Sequence, residues 1–254
     1  MIVFFPFLKK EFKALFFTHK FLIFGVLFLL IGMISPLSAK ILPDVLEGMV
    51  NEGISITISE VTYIDAYVQF FKNVTSLSFI VLVVVFAGAI LQEISKGTLV
   101  LLFSKGLSRT SVFIAKYLSA TLLWTCTFLL GIGVQILYTY FLFGSHNFMP
   151  LLWGWLGLWF FGIFLLSLTL FGSVCAKNMY SALLFVGGFV ALCFLGNMFP
   201  KLTKYNPISF ISYDVYLFIH EGIPENFWLI FGILTVLIVV FCSLSIYFFQ
   251  KKAC

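Results

Sequence analysis

Six apolar runs, each of at least 19 residues, fix what this chain can fold into: Phe21–Ala39, Asn73–Gln92, Tyr117–Phe143, Leu151–Cys175, Ser181–Phe199 and Phe227–Phe249. A helix needs about 20 predominantly apolar residues to cross the hydrocarbon core of a bilayer. No water is present there to bond a free amide or carbonyl, so a crossing segment must close its own hydrogen bonds. Composition points the same way, with 62% of the 254 residues hydrophobic and only 10% charged, against about 25% charged in a soluble domain. The expected fold is an all-α membrane protein, a single transmembrane domain over residues 1–254.

The charges set an orientation. With the N-terminus in the cytoplasm, the inner segments hold Lys9, Lys10, Lys13, Lys20, Lys96, Lys105, Arg109, Lys116, Lys177, Lys251 and Lys252, and the outer ones Lys40, Lys72, Lys201 and Lys204. Eleven basic residues against four is a positive-inside bias. Eight of the ten acids fall outside, leaving Glu11 and Glu93 within. Six spans then place both termini in the cytoplasm. The net charge of +5 is spread over short loops and forms no nucleic-acid surface.

Between the spans, 40–72 reads as an outer loop. The outer segment 200–226 is too polar to span and too apolar to hang free, so it is expected to be partly re-entrant or packed on the helices. Residues 1–20 form no span. On a helix, Phe5, Leu8, Phe12, Leu15 and Phe16 share one face, with Lys9, Lys10 and Lys13 beside it. A basic amphipathic helix next to a span is expected to lie in the membrane interface. No signal-peptide cleavage site is evident.

Absences narrow the chemistry. No ionisable residue lies inside the six runs, whereas ion-coupled carriers and proton relays need such groups at depth. His19, His146 and His220 are far apart in sequence and read as interfacial residues. The five cysteines have no metal or disulfide spacing. No G-x-x-x-x-G-K-[ST] phosphate loop is present, so no nucleotide site, cofactor or metal is expected on this chain, and it is not expected to be an enzyme.

The inner loop 93–116 is the most informative segment. Glu93 closes a span, and Gly97-Thr98 turns the chain. Thr98 can cap a short helix over Leu99–Ser104, Gly106 ends it, and Ser108 can cap the helix that climbs through Lys116. A short helix along the cytoplasmic face results.

This loop resembles the permease subunits of ABC-2-type exporters. A Glu, then Gly-Thr-Leu four residues on, a Leu-Leu pair, a small turn, Ser-Arg and a later Lys are matched by Glu93, Gly97, Thr98, Leu99, Leu101, Leu102, Ser108, Arg109 and Lys116. Lys105-Gly106 stands where the family usually has a small residue and a proline. The interfacial N-terminal helix, six spans, inner termini and Asn206-Pro207 in the last outer segment fit as well. The resemblance implies a bacterial cytoplasmic-membrane permease that pairs with a second copy of itself or a similar permease. It also implies docking on a separate ABC ATPase subunit, which carries ATP and Mg. Glu93, Gly97, Thr98, Leu99, Leu101, Leu102, Gly106, Ser108 and Arg109 would then couple to that ATPase, and Phe5, Leu8, Lys9, Lys10, Phe12, Lys13 and Phe16 would form the interfacial helix. A passive channel or membrane scaffold is the competing reading, and an embedded enzyme a third. The apolar spans suggest a hydrophobic or amphipathic substrate. Fourteen Lys against one Arg hints at an AT-rich bacterial genome and favours a membrane-active peptide.

The charge asymmetry generates a topology test. In a cysteine-free background, Glu52→Cys is expected to react with an impermeant thiol reagent in whole cells, and Lys252→Cys only after the membrane is opened. The reverse pattern would invert the orientation.

Overall fold

The computed structural model describes residues 4–49, 61–95, 97, 99, 103–104, 106–213, 215, 219 and 222–251, with the side chains of 44–49 excepted. The described chain is helical throughout. The elements are α1 (Phe4–Phe17), α2 (Lys20–Met49), α3 (Tyr63–Asn73), a π-helical turn (Val74–Ser78), α4 (Phe79–Ala87), α5 (Leu91–Ser95), α6 (Arg109–Phe143), α7 (Leu152–Cys175), α8 (Met179–Asn197), α9 (Pro200–Thr203), a 3-10 turn (Pro207–Phe210) and α10 (Phe227–Lys251).

Six stretches are long and apolar enough to cross a membrane: Lys20–Pro43, Tyr63–Ser95, Arg109–Phe143, Met149–Cys175, Met179–Asn197 and Phe227–Lys251. They coincide with the six runs of the sequence, so the all-helical membrane fold stands. The helices run past the apolar runs, because backbone hydrogen bonding continues where hydrophobicity stops. Residues 40–72 are therefore not a loop throughout: α2 runs to Met49 and α3 starts at Tyr63. The Thr62 amide donates to the Asp65 carboxylate at 2.8 Å, closing the first turn of α3.

The α7 helix is the hub. It is the most buried span and packs against α4, α6, α8 and α10. Bulky rings meet small residues along it. Trp124 of α6 is fully buried, crosses α7 at Gly162, and donates its indole N–H to the Trp159 carbonyl at 3.1 Å. Trp159 in turn donates to Thr125 Oγ1 at 2.9 Å. Phe28 and Phe128 pack edge-on at 5.8 Å, and Gly131 leaves the space that Phe28 fills. In contrast, α8 has only 11% of its apolar window buried, so most of its surface faces outward.

Helix breaks are repaired by side chains. Between α4 and α5 the amide of Ile90 is bonded by Ser173 Oγ of α7 at 3.2 Å. At the bundle end away from the 93–116 loop, the α6–α7 turn is held by His146. Its Nδ1 lies 2.9 Å from the Gly144 carbonyl and its Nε2 lies 2.7 Å from Tyr67 Oη. A carbonyl can only accept, so Nδ1 carries the proton and Nε2 accepts from Tyr67. His146 thus ties α3 to the turn, which its sequence position alone did not reveal. The described part of 200–226 packs on the helices, with Ile208, Phe210 and Val215 buried in the core. Asn206 anchors it, donating to the Cys193 carbonyl and accepting from the Ile208 amide at 3.1 Å.

The Trp124–Gly162 crossing makes a prediction. A Cβ at position 162 would lie 2.3 Å from Trp124 Cε2, so Gly162→Ala should lose about 1–3 kcal/mol of stability. Gly133→Ala, where nothing lies within 4 Å, should hold or gain up to about 1 kcal/mol from helix propensity. Thermal unfolding in detergent measures both. Equal melting temperatures would mean that this crossing does not set the packing distance.

Candidate functional site

Two features stand out: a charged and apolar assembly at the bundle end bearing the 93–116 loop, and a cavity between the spans nearer the opposite end.

At the loop end, α1 lies across α6 and brings four charges together. Lys116 Nζ sits 3.2 Å from Glu11 Oε2 and 3.0 Å from Glu93 Oε1. Lys10 Nζ sits 3.4 Å from Glu11 Oε1 and 3.6 Å from Glu93 Oε1. Two ammonium groups and two carboxylates form a neutral knot joining α1, α5 and α6. Lys116 is 8% exposed and Glu11 7%. The sequence admits Arg109, Lys116 or a basic residue of an ATPase partner as the counter-charge of Glu93, in an exposed pair worth about 0–1 kcal/mol. The structure pairs Glu93 with Lys116, the lysine buried and the carboxylate half-buried, so the value for a fully exposed pair does not apply. Lys116 lies one residue ahead of the Tyr117–Phe143 run, which is why the run alone held no charge although the helix does.

The α1 helix is used differently from the expected single apolar face. Phe7, Glu11 and Leu15, four residues apart, are its buried stripe. Phe5 and Phe16 point away from the protein, 71% and 61% exposed, while Leu8 and Phe12 lie between. Lys9 and Lys13 are exposed. The helix has two apolar neighbours, the bundle and the surrounding lipid, so hydrophobicity alone could not say which stripe faces inward. The burial of Glu11 is not legible in the sequence, because a carboxylate in an amphipathic stripe reads as its polar edge.

The loop itself carries a second small core. Leu99 is helical and buried with Phe7, Leu107, Phe113, Val174 and Phe249. Gly97 and Gly106 both adopt left-handed backbone, with φ of 65° and 83°. An added Cβ would touch nothing within 4 Å at either, so the turn and not the space demands glycine. Ser108 caps α6 as its spacing predicted, its side chain accepting from the Ser111 amide at 3.1 Å. Of the expected coupling residues, Thr98, Leu101 and Leu102 lie outside the described residues.

Arg109 has a task that the sequence did not reveal. Its Nη1 donates to the carbonyl of Phe249 at 2.8 Å, capping the C-terminal end of α10, where a cation is favoured. The same guanidinium lies 5.1 Å from the ring centre of Phe103, and Gln250 Nε2 bonds Thr110 Oγ1 at 3.2 Å. The loop is thereby fastened to the last span, 140 residues away.

The cavity has a volume of about 1090 Å³. Phe79, Val83, Phe161, Leu165, Val186 and Val190 form apolar walls from α4, α7 and α8. Lys72, Thr75, Ser76 and Ser212 also reach it, which departs from the expectation that the spans offer no charge. The π turn at Val74–Ser78 supplies two of these polar groups. An extra residue per turn there widens the helix, a departure often found at functional sites.

Comparison with known proteins bears on both features. The family described as "ABC-2 family transporter protein" matches residues 6–254. The chain is also 21% identical to the "Uncharacterized transmembrane protein YxlG" of Bacillus subtilis (strain 168) over 243 residues, covering 93% of each chain.

The charge knot yields a stability test. Lys116→Ala leaves buried Glu11 and half-buried Glu93 with the exposed Lys10 as their remaining cation and should cost up to about 3–5 kcal/mol. Glu93→Ala should cost less, because Lys116 keeps Glu11. Chemical denaturation in mixed micelles measures both, and a Lys116→Ala protein as stable as the parent would mean that the knot is solvated.

Proposed function

This chain belongs to the ABC-2 family of transporter proteins, and from that premise we propose that it is the permease subunit of an ABC exporter. A membrane subunit of this family is the transport component and not the ATPase, and membership implies an ABC ATPase partner. In the proposed reading the protein sits in a bacterial cytoplasmic membrane beside a second copy of itself. It moves a hydrophobic or amphipathic substrate outward, with a membrane-active peptide as the leading candidate. ATP and Mg reside on the partner.

The observation that carries this reading is the fastening of the 93–116 loop. A push on a free loop would be lost as loop motion. Here the loop is attached at three places: to α1 through Glu93, Lys116, Lys10 and Glu11, to α10 through Arg109, and to the bundle through buried Leu99. Displacement of the loop by a closing ATPase pair would therefore move the first helix and the last span together. Packed interfaces of this kind switch between discrete arrangements and do not deform continuously.

The cavity supports the substrate class. Its walls are apolar, which suits an acyl chain or an apolar side-chain face, and its hydroxyl groups and Lys72 suit a polar or anionic end. A hydrated inorganic ion would find too few ligands there to replace its water.

The test is reconstitution in lipid. Alone, the chain is expected to hydrolyse no ATP above an empty-nanodisc control. With a cognate ATPase it should form a complex whose turnover responds to substrate. Gly97→Pro and Gly106→Val force residues with side-chain restraints into left-handed turns. Both should insert normally yet lower turnover or complex formation severalfold. If they assemble and turn over like the parent, the loop is only a linker, and the coupling role fails.

A further inference from the structure

Beside the charge knot lies a second, smaller cavity of about 270 Å³, reached by Lys10, Glu11, Lys20, Gln92, Glu93 and Lys116. Its charges do not balance. The two carboxylates are each shared between Lys10 and Lys116. The third ammonium, on Lys20, makes no salt bridge among the described residues. It rests 4.9 Å from the centre of the buried Phe86 ring, and the side chain is half-buried. The pocket therefore holds three ammonium groups against two carboxylates, and an anion beside Lys20 would remove that excess of positive charge. Lys20 is also the first residue of α2, where the helix dipole disfavours a positive charge and favours a negative one.

Position decides which anion. The pocket lies where three candidate spans end together, at Lys20, at Glu93 near the close of Tyr63–Ser95, and at Lys116 in the first turns of α6. That is the depth of the lipid headgroups. The same α1–α2 corner carries exposed apolar side chains: Phe16 and Phe17 precede the lining residue Thr18, and Leu22 follows Lys20. A free anion has no use for apolar neighbours, whereas acyl chains would lie along them. Basic pockets between spans are established seats for anionic headgroups.

We propose that this pocket binds the phosphate of an anionic phospholipid, with Lys20 as the principal contact and Lys10 beside it. The lipid would bridge the α1–α2 corner to α4 and α5, completing the neutralisation that the two carboxylates begin. The site is separate from the substrate cavity; it shares Lys10, Glu11, Glu93 and Lys116 with the knot that fastens the loop, but lipid retention is read without ATPase or transport.

Native mass spectrometry of the full chain in detergent tests it, with phosphatidylglycerol, phosphatidylcholine and inorganic phosphate as separate titrants. Phosphatidylglycerol should be retained in preference to phosphatidylcholine. Lys20→Gln should weaken its apparent affinity about fivefold or more, the worth of one lysine near an anionic headgroup. Lys20→Arg should restore binding, and Lys13→Gln, on the exposed side of α1, should leave it unchanged. Lys20 holds no salt bridge among the described residues, so its variants should fold, and thermal unfolding without added lipid checks this. Equal retention of both lipids, or parent-like affinity in Lys20→Gln, would overturn the proposal. Saturation by inorganic phosphate with the same dependence on Lys20 would also overturn it, in favour of a soluble-anion site.

Discussion

An unbonded backbone amide or carbonyl costs several kcal/mol in a medium without water, and the rest of this structure depends on that constraint. It makes every described span helical, and it explains what the scarce polar side chains do. Ser173 bonds the amide of Ile90 freed by the α4–α5 break. Asn206 serves a carbonyl of α8 and an amide of the segment that follows. Arg109 takes the last carbonyls of α10. Gln135 donates to the Ala66 carbonyl at 3.1 Å. Most span hydroxyls bond back to a carbonyl three or four residues earlier in their own helix, as Ser35, Thr127, Thr169 and Ser245 do, and a few polar side chains tie helices together.

The same economy governs charge. Burying Lys116 beside Glu11 and Glu93 is tolerable only because each group finds opposite charge within 3.2 Å. Such a knot contributes less to stability than its Coulomb energy suggests, since desolvation offsets much of it. Its value lies in geometry. It admits one relative placement of α1, α5 and α6, and so fixes where the loop between α5 and α6 sits. The Arg109 cap does the same for α10. Together they fasten Glu93 and Arg109, at the two ends of that loop, to the bundle.

The large cavity reflects a different compromise. Packing around α7 is close, with Trp124 seated on Gly162, yet beside it a cavity opens between α4, α7 and α8. The π turn at Val74–Ser78 and the outward-facing surface of α8 leave about 1090 Å³ open. Space of that size within a membrane bundle is stable when lipid, substrate or a second subunit lines its open side.

The sequence by itself determined the six spans, the helical class, the glycine turns at 97 and 106, the Ser108 cap and the family. These rest on local properties: run length, periodicity and the conformations open to glycine. It also offered Glu93 and Lys116 as partners, because they flank one short loop. Only the tertiary structure decided that Glu11 joins them, that Phe7 and Leu15 face inward while Phe5 and Phe16 face out, that Arg109 holds residue 249, and that Lys72 reaches a cavity. Each of these depends on which helices become neighbours. In a bilayer nearly every face of every span is apolar, so hydrophobicity, which marks the buried face of a soluble helix, cannot choose among them. The choice falls to shape and to the few polar groups that must find partners, and both take effect only once the helices have packed.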